Sequence, residues 1–365
     1  MHRVFNFGAG PAVLPEAVLA QVQRDLLALP GVGMSIMEIS HRSPTFTKII
    51  ETTRTNIREL AGLPDDYHVL FTTGGATQQF AMVPMNLLAP GRTADYIVTG
   101  SWAKKAAQEA KRFGSVHIAA NTEIEEFSRV PEQSELTLST DSAYVHLTSN
   151  NTIFGTQWRQ IPKFRDRVLI VDASSDIFSR PLDFGKDGID LIYAGAQKNL
   201  GPAGVTLVIV RDELLQQADE GDRILPTMLK YATYAKSASL HNTPPVFAIY
   251  VLGLVTQWIL ESGGLEVLEQ QNERKVQKVY EAIDCSDFYH GTAQPKSRSS
   301  MNVTIRLPSE DLETRFISEA ATASLVGLKG HRSVGGIRVS IYNAFPESGV
   351  DALVEFMREF ERVNG

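Results

Sequence analysis

Short apolar, β-branched segments alternate with helical patterns over the first two-thirds of the chain. Two of these segments, residues 168–171 and 205–210, run continuously instead of alternating apolar with polar positions. Continuous strands of this kind are covered on both faces and are typical of largely parallel sheets. The sequence therefore predicts an α/β fold, with a three-layer αβα large domain built on a mainly parallel sheet.

The predicted elements follow from the same patterns. The predicted strands of the large sheet are residues 69–72, 96–99, 116–119, 143–147, 168–172, 191–194 and 205–210. Helices are predicted over residues 16–29, 78–88, 103–113 and 246–260, the last with Thr243 as N-cap and Pro244 at its first position. The tail is predicted as helix 265–283, strand 301–306, helix 310–323, strand 337–341 and helix 347–363. We therefore predict a large domain of residues 16–262 and a smaller α+β domain of residues 1–15 and 263–365.

Charge and cysteine content exclude several classes of protein. The formal net charge is −7, so no general basic field attracts nucleic acid or an anionic membrane. Cys285 is the single cysteine and forms neither an internal disulfide nor a cysteine-based zinc site, which indicates a reducing compartment. The N-terminus has no signal-peptide pattern, and the longest apolar stretch is shorter than a bilayer requires. We expect a cytoplasmic protein with no membrane or nucleic-acid partner and no metal.

Three polar features stand at predicted strand ends. Asp172 closes the apolar segment 168–171, at the edge where open α/β sheets bind their ligands. Lys198 follows 26 residues later, before a glycine-rich loop in which the backbone approaches a ligand closely. Residues 71–80, FTTGGATQQF, predict a strand, a glycine turn and a helix N-terminus that binds an anion. Each feature alone also fits an ordinary cap, turn or surface charge.

Together the three features match the needs of pyridoxal phosphate (PLP). Its phosphate needs backbone amides, its pyridine nitrogen needs a carboxylate, and its aldehyde needs an amine for a Schiff base. No P-loop, dinucleotide-binding, nucleophile-elbow or zincin motif competes with this interpretation.

Six segments resemble the phosphoserine aminotransferases, class-V members of the fold-type I PLP enzymes. They are FNFGAGPAVLP, EISHRSPTF, DASSDIFSRPLDF, YAGAQKNLGPAG, HNTPP and KGHRSVGG-IRVSIYNA. The resemblance extends from Phe5 to near the C-terminus and thus covers practically the whole chain.

The resemblance implies roles at the cofactor. Lys198 would form the Schiff base and move the proton at the substrate Cα, while Asp172 would pair with the pyridine nitrogen. Trp102 would stack on the ring, and Thr152 would hydrogen-bond near the phenolic oxygen. The residues implied at the phosphate are the amides of Ala76 and Thr77, the side chain of Gln197 and, from the neighbouring subunit, Asn242 and Thr243.

The resemblance also implies how the substrate is held. Arg338 would bind the α-carboxylate, because a planar guanidinium suits that group. The residues implied at the distal phosphate or γ-carboxylate are His41, Arg42, His331 and Arg332. The chain departs from some members at Ala9, where they have serine, and at Ala76 and Thr77, where they have Gly-Arg. The second departure leaves backbone amides in place, so phosphate binding is still expected.

The implied reaction is a ping-pong amino transfer from L-glutamate to 3-phosphohydroxypyruvate, giving 2-oxoglutarate and O-phospho-L-serine in serine biosynthesis. Some members of the family also act on a related phosphorylated oxo acid in pyridoxine synthesis, and the sequence does not decide whether this chain does. The implied assembly is a homodimer with shared active sites. A cysteine desulfurase is the first alternative, but Cys285 lies far along the chain in AIDCSDFY. A PLP-binding sensor without turnover is the second, and it would not need a lysine proton shuttle.

Overall fold

The computed structural model describes residues 3–164, 166–220 and 224–365. Its helices are α1 (Glu16–Asp25), α2 (Pro44–Ala61), α3 (Gly75–Leu87), α4 (Ser101–Ala110), α5 (Phe184–Asp187), α6 (Asp212–Glu220), α7 (Tyr231–Lys236), α8 (Val246–Glu261), α9 (Gly264–Asp284), α10 (Glu310–Thr322) and α11 (Glu347–Asn364). Its strands are β1 (Phe5–Asn6), β2 (Tyr67–Thr72), β3 (Thr93–Val98), β4 (Ser115–Asn121), β5 (Ser142–Thr148), β6 (Asn150–Asn151), β7 (Thr156–Gln157), β8 (Leu169–Asp172), β9 (Leu191–Gly195), β10 (Thr206–Arg211), β11 (His290–Gly291), β12 (Asn302–Arg306), β13 (Leu325–Val326) and β14 (Ile337–Ser340).

Seven strands form the central sheet, in the order β2-β10-β9-β8-β5-β3-β4. Neighbouring strands are parallel except at β10, which runs antiparallel to both β2 and β9. The predicted α/β class with a mainly parallel sheet is therefore confirmed, and each of the seven predicted strand segments overlaps one of these strands.

The direction of β10 differs from what its continuous apolar sequence suggests. Only residues 196–205 separate it from β9, whereas a parallel connection needs a crossover of a dozen or more residues. β10 is nevertheless buried on both faces, because Leu207 and Ile209 pack in one hydrophobic cluster and Val208 and Val210 pack in the other. Continuous burial thus reports that both faces of the sheet are covered and does not report a strand direction.

Helices cover both faces of the sheet. Val145 and Val171 face a cluster with helices α2 and α8, while Tyr144 and Ile170 face a cluster with α3 and α4. The alternation of these neighbouring residues between two hydrophobic layers gives the three-layer arrangement.

Several predicted helix boundaries are wrong, and the start of α8 and the end of α1 are two of them. α8 begins at Val246 after Pro245, and neither Thr243 nor Pro244 caps it. Consecutive prolines keep the chain extended there, since the residue before a proline avoids helical angles. α1 ends at Asp25, four residues before the predicted end at Leu29, and leaves Leu27 87% exposed.

Helix α2 is a long element for which the sequence analysis made no prediction. Ser43 caps it by accepting a hydrogen bond of 3.2 Å from the amide of Phe46, and Pro44 occupies the first turn. This Ser-Pro start is a recognised helix signal. The helix buries Ile50 and Ile57 against the sheet and α8.

The N-terminal strand and the C-terminal elements share a separate hydrophobic cluster. Phe7 packs there with residues of α9, α10 and α11 and with the antiparallel sheet β11-β12-β14. Leu265 and Leu268, at the start of α9, pack instead in the cluster of α2 and α8. The division into residues 16–262 and 1–15 with 263–365 stays a prediction.

Among the described residues, no helix by itself is long and apolar enough to cross a membrane. Helices α8 and α9 meet that measure of length and composition only when taken as a pair, across an 85° bend.

Candidate active site

The carboxyl ends of the parallel strands meet at one edge of the central sheet. Strand register places Asp172 of β8 beside Thr148 of β5 and Tyr193 of β9. Thr72 at the end of β2 pairs with Thr206 of β10, and Thr206 pairs with Gly195 at the end of β9. β2 therefore ends at the same edge of the sheet. Ligands of open α/β sheets bind outside this edge, so the segments that follow the strands form the candidate site.

Lys198 lies in the loop between β9 and β10 and is half-buried. Its Nζ donates a hydrogen bond of 2.9 Å to Oγ1 of Thr152. The N-terminal segment covers the loop, because the amide of Ala12 donates to the carbonyl of Gln197 at 2.9 Å. A Cβ at Gly10 would lie 3.3 Å from Cγ of Lys198. Burial lowers the pKa of the Lys198 amine to about 8, so part of it is uncharged at neutral pH.

Asp172 ends β8 and is 3% exposed. Its Oδ1 accepts hydrogen bonds from the amide of Ser174 at 3.0 Å and from the hydroxyl of Ser174 at 2.6 Å. Burial raises the pKa of the Asp172 carboxyl, while these bonds and the charge of Lys198 oppose the rise. A cation placed at Oδ2 would therefore stabilise the ionised carboxylate.

Helix α3 follows β2 through a glycine turn. Gly74 is its N-cap with φ of 80°, and a Cβ there would lie 1.9 Å from Oε1 of Gln78. Ala76 and Thr77 follow in the first turn, where backbone amides have no acceptor inside the helix. The exposed amides and the positive end of the helix dipole favour an anion at this position.

Trp102 and Gln197 are both half-buried at the same edge of the sheet. Trp102 lies in the first turn of α4, and Nζ of Lys105 is 4.5 Å from the centroid of its ring. The amide of Gln197 turns back over Gly195, where a Cβ would lie 2.7 Å from Oε1. The absence of a side chain at Gly195 thus leaves room for the Gln197 amide.

Three basic side chains come to the site from the C-terminal part of the chain. Arg338 lies on β14, and its Nε is buried without a partner among the described residues. His331 and Arg332 precede β14, with Nδ1 of His331 2.7 Å from Oγ of Ser333. Burial lowers the pKa of His331, and the positive charges of Arg338 and Arg332 lower it further. The charge of Arg338 also acts to lower the pKa of Lys198. These groups therefore share one electrostatic environment.

Four predicted residues lie in two other loops. His41 is half-buried and Arg42 is exposed in the turn before α2, while Asn242 and Thr243 are exposed just before α8. Among the described residues, no hydrogen bond or ion pair joins the side chains of these four residues to any other predicted site residue.

The sequence analysis missed two residues that hold the site together. Ser174 anchors Asp172, and a serine two residues after an aspartate is typical of a local side-chain turn. Tyr342 donates a hydrogen bond of 2.8 Å to the carbonyl of Ala9 and also interacts with Thr152. No local signal could reveal Tyr342, because Ala9 is 333 residues away in sequence.

Residues 4–353 match the family described as aminotransferase class-V. The chain belongs to the class-V aminotransferases. Among curated relatives, this class-V aminotransferase is 54% identical over 365 residues to the phosphoserine aminotransferase of Desulfosudis oleivorans, covering 100% of the chain and 99% of the relative. It is 51% identical to the phosphoserine aminotransferase of Herpetosiphon aurantiacus, covering 99% of each.

Solved structures of class-V relatives agree. The phosphoserine aminotransferase from Bacillus circulans subsp. alkalophilus superposes with a TM-score of 0.96 at 49% identity, covering 100% of this chain and 99% of that one. A PLP-bound phosphoserine aminotransferase from Trichomonas vaginalis superposes with a TM-score of 0.93 at 35% identity, covering 98% and 100%. The predicted resemblance is confirmed.

Proposed function

We propose that the chain is a PLP-dependent phosphoserine aminotransferase of serine biosynthesis. It transfers the amino group of L-glutamate to 3-phosphohydroxypyruvate and gives 2-oxoglutarate and O-phospho-L-serine. One observation carries the proposal: the amine of Lys198, held by Thr152, shares its surroundings with the carboxylate of Asp172 and the guanidinium of Arg338. The full-length relatives named above support the choice of substrate.

The residues present fit PLP. Ser174 occupies only Oδ1 of Asp172, which leaves Oδ2 for the pyridine nitrogen. The amides of Ala76 and Thr77 lie in the first turn of α3 and would bind the phosphate, and Gln197 directly precedes Lys198 in the chain. When bound, PLP supplies an aldehyde for condensation with amines and a protonated ring that withdraws electrons from the substrate Cα.

Lys198 is the proposed proton carrier. With a pKa of about 8, its amine exists in both protonation states near neutral pH. It is thus suited to remove the proton from the substrate Cα and to return one on the cofactor side. Thr152 accepts a hydrogen bond from Nζ and so orients the amine.

Asp172 and Trp102 are proposed to hold the ring. The buried carboxylate of Asp172 keeps the pyridine nitrogen protonated, since a cation at Oδ2 offsets its loss of water. Trp102 offers an aromatic face at the start of α4 for stacking. Both residues act on the cofactor without exchanging a proton with the substrate.

Arg338 is proposed to bind the α-carboxylate, and the His331–Arg332 pair to bind the distal anion. His41 and Arg42 of a second copy complete the distal site, while Asn242 and Thr243 of that copy add contacts to the cofactor phosphate. The enzyme is accordingly proposed to be a homodimer with shared active sites, located in the cytoplasm. Exposure of Arg42, Asn242 and Thr243 on a single chain supports the shared arrangement.

An optical experiment tests the function. The purified protein should be yellow, and glutamate or O-phospho-L-serine should bleach its visible absorption by converting the cofactor to its amine form. Serine and alanine leave the polar distal site unpaired, so their kcat/KM should be lower by roughly 10⁴. A colourless protein that PLP does not colour, or equal rates with alanine and phosphoserine, would refute the proposal.

A further inference from the structure

Lys198 and Arg338, the amine and the guanidinium of the site, are held by different sheets. Lys198 lies in the loop between β9 and β10 of the central sheet and is hydrogen-bonded to Thr152, which follows β6 of the two-stranded sheet β6-β7. Arg338 is carried by β14, in the three-stranded sheet of the C-terminal region. In an amino acid, the reacting Cα is bonded directly to the α-carboxylate. The separation of the two groups therefore decides where the Cα lies relative to the amine.

A buried pair of asparagines joins β6, the strand that precedes Thr152, to the three-stranded sheet that carries Arg338. Asn150 of β6 is 1% exposed and Asn302 of β12 is 0% exposed. Nδ2 of Asn150 donates a hydrogen bond of 2.8 Å to Oδ1 of Asn302. The hydroxyls of Ser175 and Ser299 also hydrogen-bond to Asn150. Both polar atoms of the Asn150 side chain are thereby occupied, which fixes its orientation.

Asn302 extends this connection to the strand that carries Arg338. In the register of the antiparallel pair, Asn302 lies opposite Ser340. Its Nδ2 donates to Oγ of Ser340 at 2.9 Å and to the hydroxyl of Tyr342 at 3.3 Å. Ser340 and Arg338 are two residues apart on β14, so their side chains leave the strand on the same face.

Asn150 makes the corresponding connection on the other side, because Thr152 follows it by two residues. Hydrogen bonds join Lys198 to Thr152, Asn150 to Asn302 and Asn302 to Ser340. Two residues of backbone connect Thr152 to Asn150 and Ser340 to Arg338, which completes a series from Lys198 to Arg338. Between Lys198 and Arg338 every link is neutral. The series therefore sets geometry without adding a charge beside Lys198 and Asp172.

We propose that Asn150 and Asn302 form a positioning pair that sets the distance between the Lys198 amine and the Arg338 guanidinium. The inference deepens the proposed function and rests on it. The pair touches neither the substrate nor the cofactor, and it acts through Thr152 and Ser340. A misplacement of about 1 Å at a reacting centre costs roughly 100-fold in rate, so the pair is expected to affect turnover strongly.

The first experiment replaces each asparagine by leucine, which has a similar shape. In N150L and N302L, kcat with glutamate and with phosphoserine should fall by roughly 10- to 100-fold and by the same factor for both substrates. KM should change little, because Arg338 and the distal cations are still present. The double variant should lose no more than the worse single variant, since the two residues act as one unit.

A second measurement needs neither substrate nor cofactor. The positive charge of Arg338 contributes to the lowered pKa of Lys198. When the pair is lost, repulsion moves Arg338 away from the amine, and the pKa of Lys198 should rise. In the cofactor-free protein, we would label Lys198 with a small reagent that reacts with neutral amines and measure the extent of labelling against pH by peptide mass analysis. The midpoint should shift upward in N150L and N302L.

Asn86→Leu is the matched control. Asn86 is 2% exposed and makes three hydrogen bonds, to Met82, Leu229 and Tyr231, but it lies near the far end of α3. The N86L variant should have a lower melting temperature, but the pH midpoint of Lys198 labelling should not change. If N302L does not fold, Ser340→Ala breaks the same series at its last link. The proposal is wrong if the midpoint and kcat of the pair variants match those of N86L. A wild-type protein without transaminase activity would instead refute the proposed function.

Discussion

The two ends of the candidate site differ in how completely one chain builds them. At the cofactor end, Asp172 is 3% exposed and anchored by Ser174, and Lys198 is anchored by Thr152. At the distal-anion end, Arg332 and Arg42 are exposed, and no ion pair between described residues involves either of them. The first end is thus organised before any ligand arrives, whereas the second is a set of solvated cations.

The difference follows from the cost of burying charge. One carboxylate and one amine can be buried together because they offset each other. Several cations with no carboxylate among them cannot be buried until an anion enters, so they remain in water. The cofactor end can therefore be encoded in one fold, while the distal-anion end requires a ligand and, as proposed, a second copy of the chain.

The largest expected effect is that of Lys198→Ala, which removes the amine from the cofactor end of the site. Turnover should be lost and the visible absorption of the bound cofactor should change, because the amine that binds it covalently is gone. Stability should change little, since burial disfavours the charged amine. Spectra, activity and melting temperature check this, with the exposed Lys186→Ala as control. Near-normal turnover in the Lys198 variant would contradict the assignment.

Mixing two inactive variants tests whether the distal-anion end is shared. Lys198→Ala and Arg42→Ala damage different ends of the site. If Arg42 serves the partner's site, mixed dimers contain one intact site, and random exchange should restore about a quarter of the wild-type activity.

The mixture is prepared by unfolding and refolding the two proteins together. Each variant refolded alone provides the baseline. An activity equal to the sum of these baselines would show that Arg42 acts within its own chain.

Arg42→Ala and Arg338→Ala should differ in selectivity. Arg42→Ala should cost about 2 to 5 kcal/mol in kcat/KM for phosphoserine, as expected for removing one partner of a desolvated charge pair. Arg338→Ala should lower kcat/KM for phosphoserine, glutamate and alanine alike, because all three carry the α-carboxylate. Steady-state kinetics with the three amino acids decide the matter, and an unchanged preference for phosphoserine in the Arg42 variant would refute its distal role.

The smallest expected effect concerns the pH at which the Lys198 amine loses its proton. The ordinary pKa of lysine is 10.5, and burial lowers that of Lys198 to about 8. The neutral, reactive amine should therefore appear above pH 8 in the cofactor-free protein. The same shift makes folding more favourable as the pH rises from about 8 to 10.5, where the unfolded chain binds more protons. Labelling of Lys198 against pH, with Lys186 as reference in the same sample, checks the first point. A midpoint near 10.5 would contradict it.

The sequence reveals those parts of the fold and site that depend on local patterns. Asp172 could be singled out because it closes a continuous apolar strand at the edge where strand ends meet, and Lys198 because it precedes a glycine-rich loop. The direction of β10 could also have been inferred from its short connection to β9. Helix α2 could also have been predicted, because Ser43 and Pro44 mark its start in the sequence.

The remaining features depend on partners far away in the chain. Asn150 and Asn302 are 152 residues apart, and nothing near either one indicates that they meet. The predicted start of α8 at Thr243 failed because two prolines, and not the capping residue, decide where the helix begins. Such contacts and boundaries are set by tertiary packing, which single-sequence patterns do not contain.

The antiparallel direction of β10 also has a consequence for the order of folding. Residues 196–205, which include Lys198, form the tip of a hairpin, and hairpins close in about 1 to 10 μs. Thr72 of β2 joins Thr206 of β10 across 134 residues, a pairing of much higher contact order that forms more slowly. The helix N-terminus after β2 therefore joins the lysine loop late. During refolding, capture of the cofactor phosphate should report the closure of β2 onto the sheet.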